Sequence, residues 1–254
     1  MFSCYGEIST QVYDLDKPVG RSFGEIEFYS TLLEGVKGAI LEPAVGSGRV
    51  LIPLLQAGYQ VEGFDISPQM LQSCKKRLQY AELSSLVWQD EMASFKIDKL
   101  YEAVILPTGS FLLMDDRVES LRALERFYAC LKPGGRLILD VFLQTEFDLG
   151  RVATKTWQTE DGHIITMESK LVSVDFYQQK AVTYLKYEKW QEGRLLATEL
   201  QRFALRWYGI EEFRAILEKI GFREIKIHAD YSLVKAPSHD TNVFTCEAQK
   251  APSL

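Results

Sequence analysis

Short, nearly continuous apolar runs alternate with longer amphipathic stretches along the first part of the chain. Ala39-Ile40-Leu41, Val61 to Phe64, Leu86-Val87-Trp88, Ala103 to Leu106 and Leu137 to Phe142 read as buried strands. Between them the spacing predicts helices at Val50 to Gln56, stopped by Gly58, and at Asp116 to Leu131. Ser67 followed by Pro68 predicts a clean helix start, because the serine caps orphan amides and the proline presets φ. Ser22 with Glu25 three residues on forms a capping-box pattern and predicts a helix through about Gly35. Pro133-Gly134-Gly135 predicts a turn into the Leu137 strand. Strands this apolar, separated by helices, predict a parallel sheet covered on both faces.

The texture changes from about Arg151 to Trp207. Ile164 to Phe176, Ala181 to Trp190 and Leu195 to Trp207 are long runs of mixed polar and apolar residues, with Gln178-Gln179 and Glu192-Gly193 as turns. Such runs predict an antiparallel meander with one face partly wet. A helical pattern returns at Ile210 to Ile220, closed by Gly221, and strands follow at Glu224 to His228 and Val243 to Ala248. The expected organisation is one α/β domain over 1–150 and 208–254, carrying an antiparallel β insertion over 151–207. No linker composition separates the two, and no internal repeat or low-complexity tract is visible.

Composition narrows the functional classes. With 254 residues, 46% hydrophobic and 25% charged, the chain can bury a sizeable core without disulfides or metals. Its formal net charge of −6 gives a mildly acidic surface, which does not attract phosphate backbones and argues against nucleic acid as a partner. Lys75-Lys76-Arg77, the one basic run of three, falls at helix spacing and reads as a solvated face. No stretch approaches the roughly 20 apolar residues that span a bilayer. Met1 to Glu7 lack the basic and apolar regions of a signal peptide, and Cys4, Cys74, Cys130 and Cys246 form no Cys-x-x-Cys pair. The expectation is a cytoplasmic protein with free thiols, no membrane contact and no metal site.

Candidate chemistry concentrates in Leu41-Glu42-Pro43-Ala44-Val45-Gly46-Ser47-Gly48-Arg49, between a strand and a helix. Small residues at 44, 46 and 48 let a ligand approach the backbone, and the helix start offers unpaired amides suited to a carboxylate or a phosphate. A glycine turn alone serves any tight strand-to-helix connection. A dinucleotide fingerprint needs a third glycine where Leu51 stands, and Glu42 sits badly beside a pyrophosphate. The same carboxylate is well placed to attract the α-ammonium of an amino acid. Asp65 ends the next strand, seventeen residues after Gly48, where it can accept both hydroxyls of a ribose or simply cap the following helix. Asp90 and Met92 follow the third strand and offer one polar edge and one soft apolar face to an adenine. Acidic residues at three successive strand ends point to a ligand, because open α/β sheets bind there.

This ordered set resembles the class I S-adenosylmethionine-dependent methyltransferases. Glu42-x-Ala44-x-Gly46-x-Gly48 is similar to their first motif, with Ala44 where a glycine is more usual. Val61 to Ser67 resembles the second motif, and Leu131-Lys132-Pro133-Gly134-Gly135 the turn before the fifth strand. The resemblance spans most of Ala39 to Phe142 and resumes from Ile210. It implies a doubly wound sheet of seven strands with the last antiparallel, and S-adenosylmethionine as cofactor with S-adenosylhomocysteine as product. Glu42, Ala44, Gly46, Gly48 and Arg49 would hold the methionine part, Asp65 with Ile66 the ribose, and Asp90, Glu91 and Met92 the adenine. Leu106 and Ser110 would flank the methyl group. In nucleic-acid and protein amide methyltransferases that segment often resembles Asn/Asp-Pro-Pro-Tyr, whereas here it reads Leu-Pro-Thr-Gly.

The expected reaction moves the methyl group to a nitrogen or oxygen of a small-molecule acceptor, mainly through proximity and in-line orientation. An RNA or protein methyltransferase, a cofactor-binding protein without turnover and a nicotinamide dehydrogenase are the competing readings. His163, His228 and His239 read as surface or core residues, so no catalytic base is named. Residues 1–38 form an N-terminal helical cap, and segments of this kind in the family close over the cofactor. Tyr13, Phe28 and Tyr29 from the cap, Pro107 and Phe111 after the fourth strand, and Trp207 are the candidates to line the acceptor. Phe28 and Tyr29 also fit as core residues of an amphipathic helix. The insertion is expected to cover the acceptor site or to pair with a second subunit as a homodimer.

Overall fold

The computed structural model describes residues 4–252, so Met1 to Ser3, the start of the segment read for targeting, lie outside it. Two N-terminal helices, α1 (Glu7–Asp16) and α2 (Glu25–Leu32), precede a regular alternation. It runs β1 (Ala39–Pro43), α3 (Leu51–Gln56), β2 (Gln60–Asp65), α4 (Pro68–Tyr80), β3 (Val87–Gln89), β4 (Tyr101–Leu106), α5 (Arg117–Cys130) and β5 (Leu131–Phe142). Four strands follow: β6 (Val152–Gln158), β7 (Ile164–Asp175), β8 (Lys180–Gln191) and β9 (Arg194–Arg206). The chain then returns through α6 (Ile210–Ile220), β10 (Phe222–Ala229) and β11 (Val243–Lys250).

The larger sheet has seven strands in the order β10-β11-β5-β4-β1-β2-β3. β1 pairs in parallel with β2 and β4, β4 with β5, and β11 runs antiparallel to both β5 and β10. The doubly wound α/β fold with an antiparallel last strand is therefore present. Alternation along the strands feeds two apolar layers. Ile40, Ile105 and Ile138 face α2, α3 and α4, while Leu41, Val104, Leu137 and Leu139 face α5 and α6. Strand order reverses between β1 and β4, and the crevice outside the carboxyl ends there is where open α/β sheets bind ligands.

The insertion forms a separate antiparallel sheet in the order β6-β7-β8-β9. Its inner face presents Ile165 and Tyr187, with Trp157, Met167 and Leu185, to Ile8 and Val12 of α1. Each well-buried side chain in such a cluster is worth roughly 1.5–3 kcal/mol. Glu199 of β9 accepts from the Ile8 amide at 2.8 Å, the Ser9 amide at 3.2 Å and the Ser9 hydroxyl. The sheet thus caps the N-terminus of α1, where Gly6 has no side chain to do so.

Three local expectations need correction. The Ser22–Glu25 capping box does not form: Gly24 precedes α2 with φ +99°, and the Glu25 carboxylate turns instead to the Phe23 amide and to Arg49. The helix accordingly starts at Glu25, because the buried ion pair takes the acid the box requires, and it ends at Leu32, short of the expected Gly35. Pro133 to Gly135 stay inside β5, and the expected turn is an irregularity in its pairing with β4 between Tyr101 and Ala103. β6 is a strand the pattern missed, since Val152 to Gln158 carry almost no apolar face and six of the seven are exposed. Among the described residues, no helix is long and apolar enough to cross a membrane.

Candidate active site

The connection from β1 to α3 is shaped by backbone needs before any ligand is considered. Gly48 adopts φ +80°, and a Cβ there would stand 2.8 Å from the Cys74 sulfur, so the turn can press against α4 only as glycine. Ala44 occupies the left-handed region at φ +55°, where glycine would be unstrained. Arg77 turns inward from the basic run, donating to Ser47 Oγ at 2.8 Å and pairing with Asp14 of α1 at 2.9 Å. Only Lys75 and Lys76 of that run face solvent.

Glu42 closes β1 with 3% exposure, and its Oε2 has no hydrogen-bond partner among the described residues. Burial pushes its carboxyl up to about 8, opposed by Arg49 and assisted by Asp65. Arg49 forms a buried ion pair with Glu25, donates to the Arg21 carbonyl at 3.1 Å and faces the Tyr13 phenol. Asp65 closes β2 and accepts the Gly46 amide at 2.9 Å on one oxygen and the Ser67 amide at 2.8 Å on the other. Burial raises its carboxyl, and those two amides pull it back. Ser67 is the true N-cap of α4, taking the Met70 amide at 3.1 Å. An ionised carboxylate has about four acceptor sites, so Asp65 keeps capacity for further donors.

Other candidates divide between this cleft and the core. Ile66 is half exposed beside Asp65. Asp90 accepts from the Glu91 amide at 2.9 Å and lies within 3.4 Å of the Trp88 ring nitrogen; Glu91 is exposed and Met92 partly buried. Tyr5, just before α1, and Tyr13, within it, meet edge to face at 5.7 Å, with charges of Asp65 and Glu42 within reach. Leu106 ends β4, and the turn after it places Thr108 at φ +55° and Gly109 at φ +71°. Ser110 donates to the Pro107 carbonyl at 3.1 Å. Phe111 points inward, stacked on Tyr208 and edge-on to Phe213. Phe28 is buried against His228 and Tyr231, and Tyr29 is fully buried. Trp207 sits in another cluster, with Phe147 and Phe176.

The largest omission from the sequence reading is Asp140 of β5. It is fully buried and accepts from the Thr108 amide at 2.6 Å, Tyr29 and Tyr231 hydroxyls at 2.9 Å each, and Thr245 Oγ1 at 2.7 Å. A carboxylate inside the apolar run Leu137 to Val141 was the signal available, because unpaired acids are almost never buried.

Comparison with known proteins agrees with this geometry. Residues 40–135 match a methyltransferase domain family. A putative methyltransferase of Bacillus subtilis, YqeM, is 23% identical over 228 residues, covering 86% of each chain. The glycine/sarcosine N-methyltransferase of Aphanothece halophytica is 26% identical over 216 residues, covering 83% of this chain and 76% of that one. The sugar N-methyltransferase KedS8 from Streptoalloteichus sp ATCC 53650 shares the fold at a TM-score of 0.75 and 22% identity, over 99% and 97% of the two chains. Sheet order, glycine turn and strand-end carboxylates agree with these likenesses: residues 40–135 match a methyltransferase domain, and the chain shares the fold of solved S-adenosylmethionine-dependent methyltransferases.

Proposed function

We propose that this enzyme transfers the methyl group of S-adenosylmethionine to a nitrogen or oxygen atom of a small molecule, with an amine nitrogen favoured. The observation that carries the reading is the buried, unpartnered Oε2 of Glu42 beside the glycine turn. A buried carboxylate oxygen without a donor costs free energy, and a ligand ammonium would supply that donor. Glu42 would hold the α-ammonium, with Ala44, Gly46, Gly48 and Arg49 around the amino-acid carboxylate at the start of α3. Asp65 and Ile66 would take the ribose, Asp90, Glu91 and Met92 the adenine, and Leu106 to Ser110 would border the transferred group. Tyr13 would close the cleft from α1, and Pro107 would line the acceptor side.

The cofactor supplies a methyl group already activated on a sulfonium. What remains for the protein is to hold, orient and exclude water, so proximity and in-line geometry carry the rate. His163 and His228 are engaged by Asp161 at 2.9 Å and Glu247 at 3.1 Å. An amine that arrives as its free base needs no protein base at all. The relatives acting on glycine, sarcosine and a sugar amine support nitrogen as the acceptor atom. Residues 1–150 and 208–254 are read as the cofactor domain, and the 151–207 insertion as the cover of the acceptor site or a subunit contact. Its cap on α1, which carries Tyr13, favours the cover.

The test is transfer of a labelled methyl group from S-adenosylmethionine to a panel of amino acids, amino sugars, hydroxylated metabolites, bulk RNA and protein. Methylation of an amine, with none of RNA or protein, is the expected result. Transfer confined to RNA or protein, or cofactor binding with no transfer to any member, would overturn it.

A further inference from the structure

Asp140 joins four segments that are distant in sequence: α2 through Tyr29, the turn after β4 through Thr108, the β10–β11 connection through Tyr231, and β11 through Thr245. Every donor is neutral, so the buried carboxylate has hydrogen bonds but no counter-ion in its immediate shell. Such a group is expensive to bury unless its oxygens are hydrogen-bonded, and here four donors from four segments converge on it. Two of the segments it holds are themselves in unfavourable conformations. Thr108 and Gly109 are both left-handed, and a Cβ on Gly109 would lie 2.2 Å from the Phe142 ring. Asp230 and Tyr231 are consecutive left-handed residues at φ +48° and +55°. Non-glycine residues pay for that region, and they persist there only when neighbours over-determine them.

We propose that Asp140 is a positioning residue for methyl transfer, fixing the Thr108–Gly109 turn as the wall against which the methyl group and the acceptor meet. This rests on the cofactor reading above, in which Leu106 to Ser110 border the transferred group. Tyr29 adds a second tie, donating to the Leu106 carbonyl at 3.3 Å, so both ends of the turn are referred to one carboxylate. The groups facing Asp140 from the surrounding elements are Tyr29, Tyr231 and Cys246, and the Glu25–Arg49 pair reaches Tyr231 from beyond. Burial drives Tyr29, Tyr231 and Cys246 above their ordinary values, whereas the Asp140 carboxyl is raised only to about 6. Between pH 5 and 7 the protonation of Asp140 therefore removes one acceptor from four donors.

Two ligands separate this role from a general structural one. S-adenosylhomocysteine presents nothing at the methyl position, while sinefungin places an amine there, on a carbon that replaces the sulfur. The two share the amino-acid, ribose and adenine parts, so their affinity ratio cancels Glu42 and Asp65. Calorimetry on the full chain should find Asp140→Asn weakening sinefungin about tenfold with S-adenosylhomocysteine changed less than about threefold. The wild-type ratio should shift through pH 6 and the variant's should stay flat. Equal weakening of both ligands, or neither weakened, or a pH-independent wild-type ratio, would overturn the proposal. Should Asp140→Asn fail to fold, Tyr231→Phe decides by the same ratio, with a selective loss supporting the role and an unselective one contradicting it. Wild-type protein that binds neither ligand would sink the cofactor reading instead, so the two failures are distinct.

Discussion

At the carboxyl edge of the seven-stranded sheet, Glu42 is buried with one oxygen unpartnered, whereas on the four-stranded sheet each oxygen of Glu199 has a backbone donor from α1. The contrast extends along both regions. Lys186 of the insertion is paired with Glu168 and Glu188 of the same sheet. In the cleft, by contrast, Glu42 and Asp65 are raised by burial, and Arg49 is divided between Glu25 and the Tyr13 phenol. Glu199 completes the fold, and Glu42 is left in need of a donor. The difference separates groups that hold structure from groups that await a ligand.

The sharpest way to break that contrast is Glu42→Gln. It should weaken S-adenosylhomocysteine roughly 100-fold, because one partner of a buried charge pair is removed. The same variant should raise the melting temperature of the free protein at pH 7, since folding at that pH must protonate a carboxyl that is ionised in the unfolded chain, and an amide is spared that cost. Loss of both binding and stability would mean that Glu42 is structural after all.

Acidity gives the next test. The folded protein holds the Glu42 carboxyl at about 8 against an ordinary value of 4.5, so the free fold favours the protonated form. A ligand ammonium needs the carboxylate. Affinity should therefore fall as pH drops below about 8, by up to about tenfold per unit, with proton uptake by buffer on binding. For folding the sign runs the other way: a raised carboxyl costs nothing below its unfolded value and destabilises increasingly as pH rises from 4.5 toward 8. Calorimetry in buffers of different ionisation enthalpy, with Glu42→Gln as the flat control, checks the binding half.

On the insertion side, Glu199→Ala should cost about 1 kcal/mol through loss of the α1 cap, read by chemical denaturation. Hydrogen exchange should accelerate in the first turn of α1 and leave β1 and β4 unchanged. The smallest effect belongs to Ala44→Gly, which relieves a left-handed alanine and should stabilise by about 0.5–1 kcal/mol without altering cofactor affinity. An Ala44→Gly variant that melts lower would show that the alanine methyl has a packing role not visible in its φ.

Local signals were legible in the sequence and distant ones were not. The glycine turn, Ser67 with Pro68, and the apolar alternation of Ile40 and Leu41 express themselves within a few residues, where 3.6- and 2-residue periods govern. The seven-strand order came through the family resemblance, not from any period. The hydrogen bonds that Asp140 accepts from Thr108, Tyr29 and Tyr231 span 32, 111 and 91 positions, and no spacing rule reaches that far. Glu199 and Ile8 are 191 positions apart. Glu25 misled the helix start because its decisive partner, Arg49, lies beyond local range. β6 escaped because, of Val152 to Gln158, Trp157 alone turns inward and the other six are exposed. The substrate candidates divided for the same reason: whether Phe111 or Trp207 turns to a cleft or to other rings is decided by tertiary packing.

The most direct test of the cofactor cleft is a calorimetric titration of the intact protein with S-adenosylhomocysteine at pH 8, beside Asp65→Ala. Saturable one-to-one binding by the intact protein, weakened at least about tenfold in the variant, is the expected result. No binding by the intact protein, or equal binding by Asp65→Ala, would contradict the assignment of the strand-end carboxylates to the cofactor.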